Sequence, residues 1–177
     1  MITFRPLSEQ DSGLLLIWMN SPHVARWWTQ DGSTPEDELE EALGFIGSDE
    51  GAAYIIELNK RPVGYIQVYD PYSEWPDTPE QAFYFADQPK GALGLDMFIG
   101  DVTLTGEGLG PQILRQFSDD LLAKGAPKLL IDPDVNNSHA IKAFAKAGFT
   151  IYQQHDSPRW GEVTLMSRSP TLPVLQH

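Results

Sequence analysis

Three glycines within five residues, Gly106-Glu107-Gly108-Leu109-Gly110, separate a strand-like run at Gly94–Gly100 from a helix-like one at Pro111–Leu122. No other stretch restricts the fold as much. Glycines at a strand-to-helix junction leave main-chain N–H groups uncovered, and the helix N-terminus adds a dipole that favours an anion. Apolar positions 113, 114, 117, 121 and 122 follow the helical period. Lys128-Leu129-Leu130-Ile131-Asp132 then reads as a short buried strand of the parallel type. Strand, crossover helix and strand make this an α/β domain. A Walker-type loop is excluded, because no Gly-Lys-Ser/Thr follows. A Rossmann fingerprint is excluded too, because its glycines follow the first strand and these follow about four.

Those earlier strands are legible. Ile2–Leu7 alternates, and Ser8 with Asp11 caps a helix reaching about Asn20. Pro22 breaks the chain before His23-Val24-Ala25-Arg26-Trp27-Trp28. Thr34, Pro35 and Asp37 form a helix start, predicting a helix to about Gly47. Ala53–Leu58 and Val63–Tyr69 read as strands of a hairpin through Asn59-Lys60-Arg61-Pro62. Asp70–Lys90 is too irregular for one element, and loops of that length are usually functional or mobile. After the central unit come a helix from about Asn137 to Ala147, stopped by Gly148, and strands near Phe149–Gln153 and Gly161–Met166.

At 177 residues with 41% hydrophobic content, the chain suits one packed domain, expected over 1–168 with a tail at 169–177. The longest apolar run, Leu14–Met19, cannot span a bilayer, and no signal peptide precedes it, so a cytoplasmic protein without membrane contact is expected. The absence of cysteine excludes disulfides and thiol nucleophiles. His23, His139, His155 and His177 are scattered without metal-site spacing, so no metal is expected and structural roles are. A formal charge of −13 opposes nucleic-acid binding and favours cationic partners. Eight of those acids lie between Asp31 and Glu50 with no Lys or Arg among them. Such a run is equally a solvated helix face. Trp18 fits the apolar face of the first helix, and Ser118 beside Asp119 and Asp120 reads as surface.

The order of these elements, the glycine loop and the sequence Asn137-x-x-Ala140-x-x-x-Phe144-x-Lys146-x-Gly148-Phe149 resemble the GCN5-related N-acetyltransferases over nearly the whole chain. The resemblance implies a mixed central sheet of six to seven strands, splayed at an acetyl-CoA site, with about four helices. It implies that Phe98 and Ile99 offer main-chain groups to the pantetheine arm. Glu107, Gly108, Leu109 and Gly110 would offer N–H groups to the pyrophosphate, and Asn137 would touch the cofactor. Thr105 stands where the family usually has Arg or Gln, and Glu107 where a base is common.

Within that family, Gly94-Leu95-Asp96-Met97-Phe98-Ile99-Gly100, His23–Trp28 and Asp132-Pro133 are similar to segments of the aminoglycoside 6′-N-acetyltransferases. By this likeness Asp96 would bind the substrate ammonium and help remove its proton. Trp27 or Trp28, with Tyr72, Trp75 and Asp132, would line the acceptor site beside it. Phe144, also at the cofactor, replaces the tyrosine that often protonates the leaving thiolate. The implied activity is direct acetyl transfer to a primary amine, favoured as the 6′-amine of an aminoglycoside or a similar polycation, by a monomer or weak homodimer. Acetylation of siderophore-type hydroxylamine or lysine, or of protein N-termini, uses the same cofactor site. A non-catalytic acetyl-CoA sensor is the alternative of another class. Read alone, Asp96 is also compatible with an acid at a strand edge facing solvent.

Overall fold

The computed structural model describes residues 1–71, 85, 87–157 and 160–171. Tyr72 and Trp75 lie outside the described residues. The elements run β1 (Ile2–Pro6), α1 (Ser12–Asn20), α2 (Pro22–Trp28), α3 (Pro35–Gly44), β2 (Gly51–Leu58), β3 (Arg61–Tyr69) and β4 (Leu93–Ile99). They continue with α4 (Leu109–Ala123), β5 (Leu129–Ile131), α5 (Ser138–Lys146), β6 (Thr150–Ser157) and β7 (Gly161–Arg168). The described residues thus hold five α-helices where about four were expected. The additional one is α2, a seven-residue segment too short to show periodicity but started by Pro22 at its first turn.

One sheet orders its strands β1-β2-β3-β4-β5-β7-β6, so β4 is central. The β2–β3 turn consists of Asn59 and Lys60, both at positive φ (50° and 67°), the backbone a tight twisted hairpin requires. Every pairing is antiparallel except β4–β5, which is the crossover through α4. That parallel pairing covers only Leu93↔Leu129 and Gly94↔Leu130, while β4 stays paired to β3 as far as Gly64↔Ile99. The sheet therefore opens between β4 and β5 from Leu95 onward, the splay that the resemblance implied.

Both faces are packed. Ile113, Leu114 and Phe117 of α4 cover one against Ile56, Ile66 and Leu95, and Leu15, Trp18, Met19 and Ala42 cover the other against Ile55, Tyr65 and Phe98. Trp18 is core, as its spacing predicts. Ser118 corrects the surface reading: it is fully buried, its hydroxyl donating to the Leu114 carbonyl at 2.6 Å and accepting from Arg168. The back-bond to the preceding turn satisfies the hydroxyl and makes burial tolerable.

Asp11 ties the first strand to the first helix. Its carboxylate takes a bidentate pair from Arg5 at 2.9 and 3.0 Å and the Ser8 N–H at 2.9 Å, while Arg5 Nε also donates to Glu57. The Arg5 bonds hold the Asp11 carboxyl below its ordinary value of 3.8. A depressed carboxylate contributes stability that is complete above that ordinary value and lost as pH falls through the folded value. Asp11→Asn is therefore expected to lower stability at pH 7 by roughly 1–3 kcal/mol. The gap from the parent should narrow steadily as urea unfolding is repeated at pH values falling below that ordinary value.

Candidate active site

The opening between β4 and β5 leads into a cleft of about 790 Å³. It gathers Trp27, Trp28, Asp96, Phe98, Ile99, Gly108, Gly110, Asp132, Asn137 and Phe144, residues that the sequence scatters over more than a hundred positions. Glu107, which is exposed, and Leu109, which packs against the core, are not among its lining residues.

Strand geometry decides which main-chain groups face the opening. Successive residues direct their N–H and C=O to opposite edges. The Leu93 N–H reaches across to the carbonyl of Lys128, the residue before β5, whereas the Gly100 N–H turns back to Val63 of β3. By this alternation Leu95, Met97 and Ile99 present their polar groups to the splay, and those of Phe98 point towards β3. Ile99 thus turns its main-chain groups towards the opening. Phe98 lies at the cleft by its ring, edge-on to Trp28 at 4.9 Å and stacked on Tyr65 at 5.5 Å. The Ile99 carbonyl is taken by His23 Nε2 at 2.9 Å, so the ring must carry its proton on that nitrogen. Sequence reading gave His23 a structural role, and this bond ties α2 to the end of β4.

The glycine loop follows β4. Gly106 and Gly108 have φ of 79° and 78°, and Gly108 is the N-cap of α4. A Cβ built on either meets nothing within 4 Å, so the loop is open as well as left-handed. These glycines are required by backbone conformation, and their bare surface exposes the first N–H groups of a fifteen-residue helix. This fits a bound diphosphate. Asn137, in the same cleft, caps α5, its side chain accepting from the Ala140 N–H at 3.2 Å. Lys142 and Lys146, one turn apart on α5, and Arg26 of α2 also line the cleft. Lys146 is legible in the sequence only as a member of the motif that ends in Gly148-Phe149, and no spacing marks Lys142 or Arg26.

Carboxylates line the same cleft, with Asp96 on β4 and Glu38 and Glu41 on α3. The register pairs Asp96 with Gln67 of β3, and Gln67 Nε2 donates to Asp96 Oδ2 at 3.0 Å. Burial first, then the charges of Asp96, Glu38 and Glu41, push the Tyr65 phenol well above its ordinary range. All three acids line the one cleft beside this phenol. Asp132 and Asp134 add to them from the end of β5, where Asp134 accepts from Gln30 at 3.1 Å across the mouth. Trp27, with Arg26 over its ring at 4.7 Å, and Trp28 form an aromatic flank.

The chain is similar in sequence and fold to several known proteins. The family model of the acetyltransferase (GNAT) domain matches residues 8–157. Aminoglycoside N(6′)-acetyltransferase type 1 of Klebsiella pneumoniae is 29% identical over 152 residues, which cover 84% of this chain and 73% of that protein. The lysine N-acyltransferase MbtK of Mycolicibacterium paratuberculosis is 28% identical over 149 residues, 83% of this chain and 64% of that one. Among solved structures, AAC(6′)-Ib in complex with paromomycin and acetyl-CoA superposes with a TM-score of 0.78 at 26% identity, over 95% of this chain and 93% of that one. The same enzyme with coenzyme A and kanamycin gives 0.77 at 26%, over 96% and 95%. The chain belongs to the acetyltransferase (GNAT) family.

Proposed function

We propose that this protein transfers acetyl from acetyl-CoA directly to a primary amine, with the 6′-amine of an aminoglycoside or a similar polycation as acceptor. The observation that carries this is one cleft whose walls offer an open strand edge and a bare glycine loop beside carboxylates. Bound acetyl-CoA would supply an activated acyl group. The N–H groups of Met97 and Ile99 at the splayed edge suit polarisation of its thioester carbonyl. The loop around Gly106–Gly110 holds the diphosphate, and Lys142, Lys146 and Arg26 add positive charge for its phosphates.

Asp96 handles the acceptor. A sugar amine is largely protonated at pH 7 and cannot attack until it loses a proton, which a carboxylate at the strand opening accepts directly or through water. The nitrogen then bonds to the acetyl carbon as the carbon–sulfur bond breaks and the thiolate leaves. Phe144 donates no proton to it. With a thiol pKa near 8.5 the departure is still feasible, with water or the ammonium as proton source. Glu38 and Glu41 attract further amines of a polycation, and Trp27 and Trp28 provide faces for stacking.

The similarity to the lysine N-acyltransferase MbtK supports a second reading with a smaller amine in the same place. A single assay separates the two. Thiol release is measured with acetyl-CoA and kanamycin, tobramycin, spermidine, lysine, N-hydroxyputrescine or a short peptide. Selective turnover of the aminoglycosides is expected. Preference for lysine or N-hydroxyputrescine would replace the acceptor, and acetyl-CoA binding without turnover of any amine would make the protein a sensor.

A further inference from the structure

We propose that Tyr65 and Gln67 form a relay that fixes the orientation of the Asp96 carboxylate, making both positioning residues for the acceptor amine. This rests on the reading of Asp96 as the group that receives that amine. Register places all three on one face of the sheet: Tyr65 and Gln67 are two apart on β3, and Gln67 lies opposite Asp96 on β4. The Tyr65 hydroxyl donates to Gln67 Oε1 at 2.7 Å, and Gln67 Nε2 donates to Asp96 Oδ2 at 3.0 Å.

The direction of this chain is set at both ends. Tyr65 has no exposed surface and packs between Phe98 and Trp28, so its hydroxyl must find its partner inside the protein. Burial and neighbouring negative charge keep that hydroxyl protonated, and its proton needs an acceptor, which the amide oxygen supplies. With the oxygen so engaged, the amide nitrogen faces β4 and meets a carboxylate. Turning the amide over would leave the tyrosine proton without this acceptor and set two oxygens against each other. A buried tyrosine, itself out of reach of solvent, thereby determines how a carboxylate in the cleft is held.

The test uses the full chain with the best amine of the panel and the variants Tyr65→Phe, Gln67→Leu, their double and Asp96→Asn. Each single relay variant is expected to lower kcat/KM for the amine about three- to tenfold, the range of one hydrogen bond. KM for acetyl-CoA should stay unchanged. The double variant should be no worse than Gln67→Leu, because Tyr65 acts through Gln67. Amine kinetics at the parent level in both singles, or multiplying losses in the double, would overturn the relay while Asp96→Asn remains impaired. Should Asp96→Asn keep full turnover, or no amine be accepted, the reading of Asp96 falls and the relay with it. Tyr65→Phe retains the ring and its packing. If it nevertheless fails to accumulate, Gln67→Leu, at a half-buried position, decides through the same amine and acetyl-CoA comparison.

Discussion

Asp96→Asn is expected to lower kcat/KM for the accepted amine by about a hundred- to a thousandfold, the range typical of losing a positioned proton acceptor. The substitution is close to isosteric, and an asparagine oxygen can still accept from Gln67 Nε2, so the contact recorded at 3.0 Å need not be lost with the charge. The variant loses the negative charge that holds an ammonium and the basic site that takes its proton. Acetyl-CoA should bind as before, because the glycine loop and the Met97 and Ile99 edge are untouched. Steady-state kinetics in both substrates, with calorimetric titration of coenzyme A, check this. Turnover within fivefold of the parent would remove Asp96 from the chemistry, and loss of coenzyme A binding would make it a structural residue.

Gly64→Ala carries the largest expected cost to stability, about 3 kcal/mol, the upper end for forcing an atom into a filled site. A Cβ there would lie 2.4 Å from the Phe98 carbonyl oxygen and 3.2 Å from the Ile99 Cα. Both are main chain of β4, so no side chain can swing aside. The collision falls where β3 holds the part of β4 that β5 has released, so the variant should also weaken coenzyme A binding. Gly13→Ala is the contrast: a Cβ meets nothing within 4 Å, and the helix α1 gains about 0.5–1 kcal/mol. Urea unfolding of the two variants beside the parent tests both signs. An unchanged midpoint for Gly64→Ala would show that β3 and β4 can separate there at little cost.

Local rules explain how much of the fold the chain announces. The capping box of Thr34 and Asp37 is present in both directions, at 3.1 and 2.8 Å, because it needs only residues three apart. The Asn137 cap and the stop at Gly148, with φ of 102°, are local in the same way. The helix α2 escaped because seven residues give too little periodicity to separate it from a loop. Ser118 misled because its polar type suggests the surface, and the Leu114 carbonyl and Arg168 that satisfy it are visible only in the folded helix and sheet.

The site divides along the same line. By itself the sequence determined the order of elements, the glycine-rich start of α4, and the presence of Asp96, Asn137 and the tryptophan pair, since each depends on residue type and short spacing. Only the tertiary structure decided that β4 parts from β5 after Gly94 and that Met97 and Ile99 face the gap while the Phe98 main chain turns away. It also decided that His23 closes on the Ile99 carbonyl and that Gln67 meets Asp96 with Tyr65 behind it. Strand register and the direction of each N–H depend on which strands pair and where the pairing stops. Those are long-range contacts, and no local pattern in the chain encodes them.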